Sequence, residues 1–116
     1  MANIDPVEYA KEIVRICDET EIVTDYDVSI LDGIILKVRV NLREEMFIDI
    51  FYNSCNEKAS FALIKEDQRI YGVNNTTIGW HEHPFEDQEK HIPCDSIKFN
   101  DFLKNVKLIM SSFGRR

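Results

Sequence analysis

The three cysteines, Cys17, Cys55 and Cys94, are odd in number and form no Cys-x-x-Cys pair, which argues against a disulfide framework or a cysteine-rich zinc module. Only three prolines and four glycines occur in 116 residues, so the chain is neither a low-complexity linker nor a collagen-like repeat. No apolar run reaches the length of a membrane span. The opening "MANIDPVEYAKEIVRI" lacks the basic-then-apolar order of an export signal, so a cytoplasmic location with reduced thiols and no membrane partner is expected. Basic charge is scarce as well: 14 Lys and Arg stand against 21 Asp and Glu, a net charge of −7. The overall field therefore repels nucleic acid, and any binding of it needs a local basic patch.

A hydrophobic fraction of 44% with 30% charged residues fits one globular domain spanning residues 1–116. Val7, Ala10, Ile13, Val14 and Cys17 recur at helical steps behind Asp5-Pro6. Phe99, Phe102, Leu103, Val106, Ile109, Met110 and Phe113 do the same, with Asp95 or Ser96 as expected cap, Gly114 as stop and Arg115-Arg116 as a frayed end. Between these helices the period becomes two. "ILKVRVNL" and "MFIDIFY", joined by Arg43-Glu44-Glu45, make a hairpin that sets Leu36 opposite Tyr52, Val38 opposite Ile50, Val40 opposite Ile48 and Arg39 opposite Asp49. Asp32-Gly33 and the charged tip Lys65 to Gln68 mark two more hairpins.

The expected fold class is α+β: an N-terminal helix, an antiparallel meander of about five strands with a short last one near Trp80 to His83, and a C-terminal helix. Ile13, Val38, Val40, Ile50, Phe102 and Val106 should share one core. Phe47, Phe51, Phe61 and Leu63 are expected on the opposite face of the sheet, among Lys37, Arg39 and Asp49. A second copy of the chain would cover that face in a homodimer, or its aromatics would stack bases.

The chemistry concentrates in "GWHEHPFEDQEKHIPC", Gly79 to Cys94, which holds all three histidines and the one tryptophan. In a strand, His81 and His83 project to one side, and two imidazoles there can converge on zinc, with His91 or Cys94 completing the set. The spacing H-x-H-x7-H-x2-C is not a standard zinc pattern. A second use needs no cofactor. Cleavage of RNA through its 2′-hydroxyl requires a proton acceptor, a proton donor and a cation for the phosphorane, roles that His81, His83 and His91 could share with Arg69 or Arg39. Lys37, Arg39 and Tyr71 would then bind substrate. A structural cluster satisfied by carbonyls or nearby carboxylates is the third reading. Arg39 also has a cross-strand ion pair with Asp49 open to it, and Asn74-Asn75 a turn.

The run "ILKVRVNL…MFIDIFYN…KASFALI…QRIYGVNNTTIGWHEHPF…HIP…FNDFLKNV" resembles the TumE-type proteins of prokaryotic toxin–antitoxin modules, over roughly residues 30–110. Its most specific portions are Arg69 to Gly72 through Asn75, then Trp80 to Pro84, and His91. Asn74 stands where other members prefer an acidic residue. The resemblance implies a toxin component, RNA-targeting, made beside an antitoxin with a helix-turn-helix domain. It implies Arg69, Asn75, His81, His83 and His91 as the site.

Overall fold

The computed structural model describes residues 4–75 and 79–113, so the expected stop at Gly114 and the frayed Arg115-Arg116 lie outside the described residues. Helix α1 (Pro6–Asp18) is followed by strands β1 (Val23–Leu31), β2 (Ile35–Leu42), β3 (Met46–Asn53), β4 (Lys58–Lys65), β5 (Gln68–Asn74), β6 (His81–His83) and β7 (Ile92–Pro93), and then by helix α2 (Phe99–Phe113). The strands form one antiparallel sheet in sequence order, a meander of seven strands rather than about five. The short strand expected near Trp80 to His83 is β6, and β7, which pairs with it, is the strand the sequence does not mark. No helix among the described residues is long and apolar enough to cross a membrane.

Asp5 caps α1 by accepting from the Glu8 N–H, and Pro6 opens its first turn. The buried stripe is Pro6, Tyr9, Ala10, Ile13, Ile16 and Cys17. It is rotated from the expected one, because Tyr9 and Ile16 turn inward while Val7 remains 43% exposed. Helix α2 starts later than expected, at Phe99. Asp95 and Ser96 belong to the extended stretch before it, and Asp101 accepts from the Lys98 N–H at its entrance. Asp32 and Gly33 have φ of 54° and 67°, as do Glu66 and Asp67 at 53° and 62°, the double left-handed turn that matches strand twist in a two-residue hairpin.

The β2–β3 register is the expected one: Leu36, Val38, Val40 and Arg39 oppose Tyr52, Ile50, Ile48 and Asp49. Ile50 then opposes Phe61, and Ile48 opposes Leu63. Register partners share a face, so Phe61 and Leu63 point toward the helices, not toward Phe47 and Phe51. The expectation for these two is corrected by the Asn53–Lys58 connection, whose length fixes the phase of β4. Phe61 is 1% exposed and stacks on Phe102, with ring centroids 5.4 Å apart. Ile13, Val38, Val40, Ile50, Phe102 and Val106 are all buried in the one core. Helix α1 lies against β1 and β2, and α2 against β4.

The sheet thus has a helix-covered face and a second face. On the second face one row runs Lys37, Phe51, Ser60, Asn74, His81, and the next runs Arg39, Asp49, Ala62, Gly72, His83. Phe47 and Phe51 are only half-buried there.

Candidate metal centre

Two histidines on a three-residue strand should be solvent-exposed on an uncovered face, yet His81 is 3% exposed and His83 6%. The cover is the segment from Pro84 to His91, which leaves β6 and folds back over the second face. Gln88 fastens it. Its side-chain amide donates to the carbonyls of Ile70 and Pro84, and its own main-chain carbonyl accepts from the His83 ring at 2.8 Å. The same residue holds Arg69, whose Nε donates to Gln88 Oε1 at 3.0 Å and whose Nη2 donates to the Gln88 main-chain oxygen at 3.3 Å. This fold-back delivers His91 to the other two rings.

The three imidazoles sit 4.6–5.1 Å apart, centroid to centroid. One nitrogen of each lies within 4.8 Å of the others, with His91 exposed at the rim. The partners of Nδ1 decide the tautomers of the two buried rings. A carbonyl can only accept, so His81 Nδ1 carries its proton toward Gly79 O at 2.8 Å, and His83 Nδ1 carries its proton toward Gln88 O. In the neutral form of each ring Nε2 then keeps its lone pair. Gly79 offers its carbonyl from a φ of +87°, a conformation that suits glycine. Among the described residues no buried side-chain nitrogen or oxygen lacks a partner, so the case for a ligand rests on convergence rather than on an orphaned atom.

Burial pushes the His83 imidazole below its ordinary range, with the charges of Arg69, His91 and His81 adding to the effect and the Gln88 hydrogen bond opposing it. The folded state therefore prefers neutral His83 where the unfolded chain, near 6.5, already takes a proton. This contribution to stability is intact above pH 6.5 and is lost as the pH falls from there through the folded value. Urea titrations of metal-free protein are expected to show stability falling below pH 6.5, with a flatter profile in His83→Gln.

The other sequence candidates lie elsewhere. Tyr71 is on the helix face, 5% exposed, stacked on Phe102 at 5.2 Å and bonded to Glu82 and Asn105. Burial, with Glu82 adding to it, pushes its phenol up to about 12. Asn75 is structural: its side chain accepts from the Ala59 N–H and donates to the Glu57 carbonyl, tying down the start of β4. Arg39 pairs with Asp49 at 3.1 Å and lies 4.1 Å over the Phe47 ring. Lys37 and Arg39 share the histidine face but line a separate shallow groove with Asp27 and Ser29. Cys94 packs against the core and is not one of the converging groups. Burial raises its thiol, and Glu82 and Asp95 add to the rise, unlike the reactive thiol of a helix N-terminus.

Of the eight sequence candidates for catalysis and substrate binding, the structure brings together His81, His83, His91 and Arg69. Gln88 was missed, since no composition or spacing rule marks a glutamine that bonds through both its side chain and its main chain. No family model, curated protein or solved structure matches the chain, so the site itself carries the functional argument.

Proposed function

We propose that this chain is a metal-binding domain in which Nε2 of His81 and His83, with a ring nitrogen of His91, holds one zinc-type ion and leaves a coordination position open. The observation that carries this reading is the pair of buried imidazoles donating Nδ1–H to main-chain carbonyls. Such bonds fix the tautomer and orient the ligand nitrogen in protein metal sites. Three imidazoles suit zinc and its late transition-metal neighbours, and three protein ligands with an open fourth position are the arrangement of catalytic rather than structural zinc. Nitrogens bound at 2.0–2.1 Å in a tetrahedron stand about 3.3 Å apart. The trio therefore has to close by up to about 1.5 Å from its 4.8 Å span, a movement open to His91 on its exposed segment. An ion so held supplies a water acidified to near neutrality, which is hydrolytic chemistry.

Metal-free RNA cleavage by a toxin with an antitoxin partner is the second reading, favoured by a neutral His83 beside an arginine. It requires the rings to keep their nitrogens for proton transfer, so metal and acid/base roles exclude each other. Protein prepared without a polyhistidine tag and titrated with zinc against a chromogenic chelator is expected to take up one equivalent. Absence of uptake, together with RNA cleavage that persists in excess chelator, sides with the second reading.

A further inference from the structure

We propose that Arg69 completes this centre as an anion-binding arm, and that the ligand seated between the ion and Arg69 is a phosphate group. The inference rests on the metal reading above and adds the class of ligand.

The position of Arg69 depends on an irregularity in β5. Leu63 opposes Tyr71, but Ile64 opposes Arg69, so Ile70 is an extra residue without a partner. Strict alternation would place Arg69 with Tyr71 and Val73 on the helix face. The bulge shifts it to the face of Ile64, Gly72 and His83, while Ile70 packs toward the core. Bulges beside functional sites re-aim single side chains in this way. Gly72, the register partner of His83, then provides the bed for the arginine: a Cβ there would meet Arg69 Cδ at 3.0 Å and Nε at 3.6 Å. The Gln88 carbonyl accepts from both the guanidinium and His83 Nδ1, which places Arg69 Nη2 within about 6 Å of Nδ1, on the edge of the ring away from the ligand nitrogen Nε2.

The charge of Arg69 is also left unspent. Arg39 and Arg15 are paired with Asp49 and Glu19, whereas Arg69 is held by neutral oxygens of Gln88 and pairs with no carboxylate among the described residues. In a chain of net charge −7, Arg69 is held by amide oxygens and, among the described residues, by no ion pair. With two N–H groups committed, Nη1 remains to reach a ligand. With the guanidinium beside the Nδ1 edge of His83 and the ion at its Nε2, a tetrahedral oxyanion would place one oxygen on the ion and turn another toward the arginine. The loop carboxylates of Glu86, Asp87 and Glu89 discourage a long polyanion, so one phosphate group is the unit recognised.

Cobalt-loaded protein and inorganic phosphate test this, because the visible spectrum of cobalt reports ligands entering its open position. Phosphate is expected to shift the spectrum of the wild type, and Arg69→Gln to need roughly ten-fold more phosphate or higher, as loss of a charged hydrogen bond requires. Gly72→Ala, which keeps the arginine but lifts its stem, is expected to weaken phosphate in the same direction. Cobalt affinity is measured for each protein, and the phosphate dependence is compared at full cobalt loading, because Arg69 shares the Gln88 carbonyl that orients His83. Equal phosphate dependence in wild type and Arg69→Gln, or no spectral response to phosphate, overturns the inference while the metal centre stands. Failure of the wild type to bind cobalt removes the metal reading and this inference together.

Discussion

Zinc at a hundred-fold excess over its Kd is expected to raise the melting temperature of the wild-type protein by roughly 10 °C, and His81→Ala to abolish the rise. Mass action sets the size: a ligand at one hundred times its Kd that binds only the folded state stabilises it by about 2.7 kcal/mol. His81 is the ligand with the least freedom to be replaced. It is buried on β6, its Nδ1 is committed to Gly79, and it stacks on His91 with centroids 5.0 Å apart. Loss of a ligand should weaken zinc by roughly a hundred-fold or more, beyond the range seen on loss of an outer-shell partner. His81→Ala also strips the Gly79 carbonyl of its partner and lowers stability without zinc, so the comparison is made within each protein, with and without the ion. An equal zinc-dependent shift in the two proteins would count against the trio.

Phe102→Ala is expected to cost about 3–5 kcal/mol. Phe102 is fully buried and sits between two aromatic rings of the sheet, Phe61 at 5.4 Å and Tyr71 at 5.2 Å. Its removal leaves a cavity bordered by β4, β5 and α2, and the rigid rings around it relax poorly. Tyr71 also accepts a hydrogen bond from Asn105 one turn further along α2, so loss of the stack loosens that contact as well. Urea denaturation should show a lower midpoint with an unchanged slope. A loss under about 1 kcal/mol would mean that α2 is not seated on the sheet as described.

The fold was legible wherever a local signal coincided with a global one. Asp32-Gly33 named its hairpin, and the alternation on either side of Arg43-Glu44-Glu45 set the correct register from Leu36–Tyr52 to Val40–Ile48. The side of Phe61 was not legible. Its phase depends on how many residues the β3–β4 connection consumes, and one residue reverses a whole strand. Arg69 shows the same limit at the site. The bulge that turns it toward the histidines falls at Ile70, an ordinary strand residue with no glycine or proline to mark it. Tyr71 was a candidate as a polar group behind the cations and Asn75 through the resemblance, but strand alternation sends Tyr71 to the other face and the turn to β4 takes Asn75. The histidine trio was readable in part, since His81-x-His83 follows from a strand. The approach of His91 depends on the Gln88 fold-back, which only the three-dimensional arrangement reveals.

The central claim is that one ion sits among His81, His83 and His91, and anomalous diffraction from zinc-loaded crystals, collected on both sides of the zinc absorption edge, tests it most directly. The account predicts a single strong peak about 2.0–2.1 Å from Nε2 of His81 and of His83 and from a ring nitrogen of His91, with Nδ1 of the two buried rings still bonded to Gly79 and Gln88. A map from the same crystals with no peak among the three rings, or with the peak on surface carboxylates, would contradict it.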